Sequence, residues 1–241
     1  MEQTQYGIIK PAKPEFEPRE LLVVPHRGAP LVVSRFGPDN YNGNVQEMQG
    51  NFSCLPDYEK ISFREPTISE SVSVCAYDFE NLAKPQILDL RWLQLGRIAK
   101  TSEGVFANPP KDEDGNPIVD EKILKSFLNG IEPVNGIYLC ENDFGFASCE
   151  TFQTGIQDSE TFSRGGLARL LEHTEKPVAE NIGKISSLKN YKAGVNVWGF
   201  DKVKEPLLRV ASLCSNRDVE GLLVDGGLRG GYDCGYAFGV L

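Results

Sequence analysis

Histidine and tryptophan are scarce in this sequence, with two of each among 241 residues. His26 and His173 lie far apart in the chain, and a Ser-His-Asp or Cys-His site would have to use one of them as its base. No GxSxG motif, which marks the nucleophile of many hydrolases, is present. We expect structural roles for both histidines, with His173 in the last turn of a helix, where a cation interacts favourably with the helix dipole. The sequence therefore predicts a protein that is not an enzyme.

The six cysteines form no CxxC pair, which argues against a zinc ribbon and against a redox motif. We expect most of them to be buried thiols, with Cys140–Cys149 and Cys214–Cys234 as the candidate disulfides. The run KDEDGNPIVDE at 111–121 imitates the first ligands of a calcium loop. Its glycine comes one position early and the bidentate glutamate is missing, so a hairpin turn is the better interpretation. No metal ion or cofactor is predicted.

Basic residues are outnumbered, with 25 Lys and Arg against 34 Asp and Glu, for a formal charge of −9. Nucleic acid is not an expected partner, because binding to phosphates requires clustered cations. Long apolar runs are also absent, so no membrane insertion is predicted. The N-terminus lacks the charged and apolar regions of a signal peptide, which predicts synthesis in the cytoplasm without one.

Turn residues and alternating patterns divide the first 84 residues. Pro11, Pro14 and Pro18 predict an extended arm that cannot fold alone. The apolar blocks within 21–33 predict two strands joined by a turn at 25–30, and the alternation in ISESVSVCAYDF at 68–79 predicts a half-buried strand. We therefore predict that 1–84 forms an N-terminal arm and a small β-rich module.

Residues 85–241 are predicted to form a compact ligand-binding domain in which two helices pack on short antiparallel strands. No strand–helix–strand alternation is present, which favours the α+β class over a doubly wound sheet. Trp92 and Trp198 lie in apolar strand patterns and are expected in the core rather than on a ligand-binding surface. The predicted elements are a strand following Pro85, helices at 120–129 and 166–173, a strand pair at 136–152 that turns at 141–143, a strand at 195–200, and three C-terminal strands.

The C-terminal run GLLVDGGLRGGYDCGYAFGVL, at 221–241, contains seven glycines among 21 residues. Glycine weakens strands, so this density is expected where the backbone turns sharply or approaches another group closely. Without further context, the run would be read as tight turns between core strands.

This ending, which comprises LLRVASL, VDGGLRGG and the terminal GYAFGVL, resembles that of the variable proteins of diversity-generating retroelements. Those proteins have a C-type lectin fold, some come from phages and archaeal viruses, and a reverse transcriptase rewrites a C-terminal stretch of their codons. The resemblance covers 207–241 and extends to about Pro85 only through the order of the elements. The tryptophan that commonly follows the paired glycines in this fold is replaced by Leu228 and Arg229.

The resemblance implies a receptor-recognition protein, with an unknown protein or glycan as ligand and association with a virion. Gly226 and Gly227 match scaffold glycines, and Phe238 matches the fixed terminal strand, while Glu220 lies outside the set of residues that adenine-directed mutagenesis reaches. The implied diversified, ligand-binding positions are Ser215, Asn216, Asp218, Leu228, Arg229, Tyr232, Asp233 and Cys234.

Two alternatives remain open at this point. The glycine-rich ending also resembles the formylglycine-generating-enzyme branch of the same fold, and such an oxidase would need Cys214 and Cys234 as a close thiol pair. The other alternative is a viral structural protein whose glycines only form turns.

Overall fold

The computed structural model describes residues 7–9, 21–34, 64–81, 92–187, 191–216, 221–228, 235–236 and 238–241. Within them the chain is mixed α+β, as predicted. Of the arm predicted over the first twenty residues, the structure describes Gly7–Ile9, which form a strand. Residues 1–6 and 10–20 lie outside the described residues, as does the start of the strand expected after Pro85. That strand is described from Trp92 onward.

A three-stranded antiparallel sheet lies near the N-terminus. Its order is β1 (Gly7–Ile9), β2 (Leu21–His26) and β3 (Ala29–Ser34). The hairpin predicted at 21–33 is confirmed, with a turn at Arg27 and Gly28, whose φ angles are 48° and 79°. Two consecutive positive φ angles are typical of the turns that match the twist of a hairpin.

The large sheet has nine strands. Eight follow the order β6–β7–β5–β4–β10–β11–β9–β8, and β12 pairs in parallel with the start of β4. The pairing is antiparallel except for β12 with β4 and β11 with β9. The strands are β4 (Trp92–Lys100), β5 (Gly104–Ala107), β6 (Ile137–Leu139), β7 (Gly145–Ser148), β8 (Gly155–Gln157), β9 (Val195–Trp198), β10 (Leu207–Asn216), β11 (Gly221–Leu228) and β12 (Gly235–Tyr236).

The segment predicted as a strand at 68–79 is a helix, α1 (Ile68–Asn81), so the strand prediction is wrong. Every side chain from Ile68 to Ala76 is buried, including the serines that gave the sequence its alternating appearance. The alternation of serines with apolar residues therefore does not separate a solvent-exposed face from a buried one. The N-terminal module accordingly contains the longest helix among the described residues, in addition to its strands.

A capping box fixes the start of α1. The Thr67 hydroxyl accepts from the Glu70 N–H at 3.3 Å, and the Glu70 carboxylate accepts from the Thr67 N–H at 2.8 Å. This reciprocal arrangement satisfies two backbone donors that a helix N-terminus leaves free. The Ile68 N–H donates to the side-chain oxygen of Asn108 at 3.2 Å, which satisfies a third.

Thr67→Ala is expected to lower the free energy of unfolding by about 1–2 kcal/mol, because the cap acceptor is lost. Urea unfolding followed by circular dichroism measures the change. Thr67→Ser keeps the hydroxyl and should recover most of the stability. Equal loss in the serine and alanine variants would contradict a capping role.

Among the described residues, four short helices follow residue 85, whereas two were predicted. They are α2 (Glu121–Ser126), α3 (Ser159–Arg164), α4 (Gly166–Glu172) and α5 (Glu180–Ser186). The predicted helices at 120–129 and 166–173 are confirmed as α2 and α4, and the strand pair at 136–152 turns at Glu141–Asp143 as expected. None of the described helices has the length and apolar composition that crossing a bilayer requires.

One main core joins the N-terminal elements to the large sheet. Leu22 of β2, Val72 of α1, Leu213 of β10 and Phe238 near the C-terminus all belong to it. A smaller core around Phe106 and Leu124 lies beneath α2. The division of the chain at residue 85 stays a prediction, and side chains from both sides of it share the main core.

Candidate functional site

The predicted ligand-binding residues lie in and around the strand pair β10–β11. Asn216 pairs with Gly221 at the hairpin end of the pair, and Leu228 pairs with Val210 at the other end. Eight residues of strand separate the two ends by about 20 Å, at the usual rise per residue. Asp218, Arg229, Tyr232, Asp233 and Cys234 lie outside the described residues.

Ser215 is the one predicted ligand-binding residue whose side-chain surroundings are described. It is half-buried and hydrogen-bonded to Tyr191, whose side chain belongs to the main core. Burial raises the pKa of Tyr191 to about 12, so its hydroxyl stays neutral. Ser215 thus already has a partner within the fold, on the same sheet face as the buried Leu213.

The paired glycines of β11 allow neighbouring residues to approach its backbone closely, as the glycine density predicted. A Cβ on Gly226 would lie 2.7 Å from the Phe200 ring. A Cβ on Gly199, whose φ is 73°, would lie 2.6 Å from the Gly227 nitrogen. A larger residue at Gly226 or Gly199 would push these segments apart.

The candidate disulfide Cys140–Cys149 is wrong, because both residues are free thiols. Cys140 follows β6 at the turn into β7, whereas Cys149 follows the far end of β7, so the strand separates the two sulfurs. Cys214 is 9% exposed, and its proposed partner Cys234 lies outside the described residues.

The described ranges contain no group of three or more His, Cys, Asp or Glu side chains that could hold a metal ion. The calcium-like run is a turn, in which the Asp112 carboxylate accepts from the N–H groups of Asp114 and Asn116 at 3.0 and 2.8 Å. This is the hairpin chemistry expected of the segment.

A polar cluster that the sequence did not predict gathers around Asp143. The Arg27 guanidinium and the Thr67 hydroxyl both donate to its carboxylate, and the Ser69 hydroxyl donates to it at 2.7 Å. The Asp143 side chain is 7% exposed, whereas that of Arg27 is 44% exposed. The carboxylate thus ties the turn of the N-terminal hairpin to the start of α1.

A second ion pair lies beside it. Arg64 donates to both carboxylate oxygens of Glu70, at 2.8 and 2.5 Å. Burial by itself raises the pKa of Glu70, but the hydrogen bonds from Arg64 and from the Thr67 N–H outweigh burial, and the pKa lies below its ordinary value. The Asp143 pKa is lowered in the same way, since the hydroxyls of Thr67 and Ser69 and the charge of Arg27 outweigh burial.

The backbone around Asp143 is strained. Non-glycine residues with positive φ are uncommon and concentrate at sites where the surrounding structure holds them. Among the described residues there are six, and the following five lie in or directly beside this cluster: Arg27, Asn108, Asn142, Asp143 and His173. Asn108 holds the turn by donating to the Asp143 carbonyl at 3.0 Å.

Both histidines lie at this cluster, although 147 positions separate them in the sequence. His26 Nδ1 lies 2.9 Å from the Ser73 hydroxyl, and the His173 carbonyl accepts from Arg27 at 3.2 Å. The His–Ser contact and the Asp143–Ser69 contact are separate pairs, whereas a catalytic relay places the imidazole between hydroxyl and carboxylate. These contacts connect the N-terminal hairpin to α1 and to the residue that follows α4.

Burial lowers the pKa of both histidines, and the neighbouring Arg27 charge lowers both further. Asp143 acts in the opposite direction on each, and Glu70 does so on His26, without reversing the shift. His173 Nδ1 is buried and has no hydrogen-bond partner among the described residues. A proton on that nitrogen would therefore be an uncompensated buried donor.

The protein is expected to lose stability as the pH falls below about 6.5, the ordinary histidine pKa. Since both histidine pKa values are lower in the fold, the unfolded chain binds more protons there. The lowered pKa values of Asp143 and Glu70 extend the loss to more acidic pH, below about 4. Urea midpoints at pH 7.5, 6.5, 5.5, 4.5 and 3.5 measure this.

The double variant His26→Gln/His173→Gln is the control, and its urea midpoint should change less between pH 7.5 and 5.5. An unchanged dependence in this variant would show that other groups carry the effect. A midpoint that rises on acidification would contradict the sign of the shifts.

Comparisons with protein-family models, curated protein sequences and solved structures found no match to this chain.

Proposed function

We propose that this chain is a ligand-binding protein, not an enzyme, and that residues 229–234 recognise the partner from a fixed frame. The supporting observation is that both described ends of that segment belong to the large sheet. Leu228 ends β11 opposite Val210, and Gly235 pairs with Trp92 of β4. A segment held in this way can change its side chains without changing the strands that hold it.

The two anchors of 229–234 lie at opposite ends of β10–β11, and the proposed recognition surface lies around the second anchor, Gly235, at the hairpin end. Trp92 pairs with Cys214 on one side and with Gly235 on the other. Gly235 therefore lies at the end of the sheet where Asn216 meets Gly221. We propose that the candidate positions next to these anchors in the sequence, Asn216 and Asp218 beside Gly221 and Asp233 and Cys234 beside Gly235, form one surface for a protein or glycan ligand.

We further propose that the segment is diversified by a retroelement and that the domain has a C-type lectin-like fold. The α+β architecture, with short helices beside a mainly antiparallel sheet, is compatible with that fold. Tyrosine, serine, asparagine and glycine, which the proposed positions and their frame contain, are the residues that adaptable binding loops favour. No cofactor is needed for this mode of binding.

Sequencing the 3′ end of the gene across a natural population tests the diversification. We expect substitutions at the eight proposed positions, whereas Gly226, Gly227, Phe238 and Glu220 should be unchanged. A reverse transcriptase gene with a matching template repeat should lie nearby. Substitutions spread evenly over 207–241, with no repeat nearby, would refute diversification.

A display library tests the binding function separately. Randomising Tyr232 and Asp233 on the otherwise unchanged chain should yield variants that bind different protein targets and unfold at the same temperature as the parent. A matched library at Glu113 and Asp114, which are exposed in the turn at 112–116, is the control. Equal enrichment from both libraries would contradict a recognition role for 229–234.

A further inference from the structure

Among the described strands, β8 lies at one edge of the large sheet and pairs with β9. Its central residue, Ile156, lies opposite Asn196. On the other side of β9, the Leu222 N–H donates to the Gly194 carbonyl at 3.0 Å. Successive strand residues direct their N–H and C=O groups to alternate sides, so Asn196, two positions after Gly194, directs its own groups to β11. Ile156 therefore pairs with Asn196 without mutual hydrogen bonds, and its N–H and C=O point out of the sheet edge.

The opposite edge of the sheet, at β6, differs because the turn before the strand occupies its first outward groups. Ile137 exchanges two backbone hydrogen bonds with Val134, at 2.8 and 3.2 Å. The buried Arg169 side chain holds that turn by donating to the carbonyls of Val134 and Asn135. In the described part of the chain, no turn or loop bonds to the Ile156 backbone in this way. A further strand can therefore pair at β8.

Exposed apolar side chains flank this open edge. Ile156 is 69% exposed and Trp198 is 64% exposed, so the prediction that Trp198 lies in the core is wrong. Trp198 follows Asn196 by two positions in β9, so it lies on the same face as Ile156, diagonally across the strand pair. Edge strands are commonly protected by charged residues or proline. The run TFQTGIQ, at 151–157, contains neither.

We infer that β8 is a dimerisation strand, which pairs antiparallel with β8 of a second copy of this chain about a twofold axis at Ile156. The two Ile156 residues then face each other and exchange two backbone hydrogen bonds, which joins both large sheets into one. An added strand supplies the donors and acceptors that an open sheet edge requires. A twofold axis needs a surface that is complementary to itself. A strand whose central residue carries the outward N–H and C=O meets that need.

Two observations favour a second copy as the partner. The chain has a formal charge of −9, so two copies repel each other on average, whereas the uncharged run at 151–157 lets them approach. The pairing also places four exposed apolar side chains, Trp198 and Ile156 from each copy, on one face of the joined sheet. Neighbours within this group would have Cβ atoms about 5–8 Å apart, within reach of side chains of this size.

The contact is small, since each chain contributes one short strand and one exposed indole. Stable interfaces bury more surface, so we expect a weak dimer with a Kd between about 10 µM and 1 mM. This interface goes beyond the proposed partner recognition, because β8 and Trp198 lie outside 229–234. If 229–234 recognises a partner, a dimer carries two such segments and binds repeated ligands with avidity.

Sedimentation equilibrium of the full chain, at concentrations from about 1 µM to 1 mM, measures the association without any ligand. Ile156→Glu and Ile156→Lys each place like charges opposite each other at the axis, and each should weaken the association about tenfold. An equimolar mixture of the two variants should associate more tightly than either variant alone, because glutamate then faces lysine. Ile123→Glu, the matched change at an exposed isoleucine of α2, should change the association less than about twofold.

Three results would overturn the dimerisation strand. They are a parent chain that stays monomeric at about 1 mM, equal weakening by Ile123→Glu and Ile156→Glu, and a mixture of charged variants that associates no better than each alone. Ile156 is exposed, so both of its variants should unfold at the same temperature as the parent, which separates lost association from misfolding. Tyr232→Ala and Asp233→Ala should leave the association unchanged, which distinguishes failure of partner recognition from failure of the dimer.

Discussion

Asp143→Ala should lower the free energy of unfolding by about 3 kcal/mol, since its buried carboxylate accepts three hydrogen bonds and hydrogen bonds to a charged group contribute about 1.5–3 kcal/mol each. The Arg27 guanidinium and the hydroxyls of Thr67 and Ser69 would all lose their acceptor. Because these donors come from the hairpin and from the start of α1, the loss also loosens the contact between these two elements and the turn at Glu141–Asp143. Urea unfolding at pH 7.5 measures the change.

Two variants separate charge from packing in the same experiment. Asp143→Asn keeps the shape and one acceptor oxygen, so it should cost less than the alanine variant. Arg27→Met should cost about 2 kcal/mol or less, because the arginine is partly exposed and its charged hydrogen bonds are weakened by solvent. Asp114→Ala, in an exposed turn, should stay within about 0.5 kcal/mol of the parent. If Asp143→Ala behaves like Asp114→Ala, the cluster does not stabilise the fold.

The sequence correctly predicted those elements that depend on a few adjacent residues. The turn at Arg27 and Gly28, the turn at Glu141–Asp143 and the helix that begins after Asp120 were all predictable, because a few adjacent residues determine each. Asp120, for example, accepts from the N–H groups of Lys122 and Ile123, as an N-cap aspartate should.

The α1 prediction failed because two patterns competed over the same residues. Alternation in the run from Ile68 predicts a strand, whereas Thr67 and Glu70 have the spacing of a capping box just before an apolar run. Burial on all sides removes the polar face that would have revealed helical periodicity. The capping box was the signal that could have decided the question.

Contacts between residues that are far apart in the sequence could not be predicted from it. Asp143 lies 116 positions from Arg27 and 74 from Ser69, and only the topology brings them together. Trp198 shows a different limit: alternation correctly predicted β9 but not which face of the sheet another element covers. Both features therefore required the structure.

Phe238→Ala should lower the free energy of unfolding by about 3–5 kcal/mol, through lost burial and the cavity left behind. The residue was expected in the interior, and its side chain is 1% exposed within the main core. Beyond it, Val240 exchanges two backbone hydrogen bonds with Arg64, and the Leu241 N–H donates to the Val32 carbonyl at 2.9 Å. Phe238 thus anchors a C-terminal stretch whose backbone is hydrogen-bonded to β3 and to Arg64, shortly before α1.

The contrast with Tyr232→Ala and Asp233→Ala makes the experiment decisive for the proposed function. If 229–234 is a recognition segment on a fixed frame, these two substitutions should each change the free energy of unfolding by less than about 0.5 kcal/mol. They should weaken partner binding instead, by about 2 kcal/mol for an aromatic at the centre of the surface. Thermal and urea unfolding of the three variants, measured side by side, distinguish residues that stabilise the fold from residues of the recognition surface. Should Tyr232→Ala or Asp233→Ala unfold the protein as severely as Phe238→Ala, that side chain belongs to the core, and recognition by 229–234 would have to be abandoned.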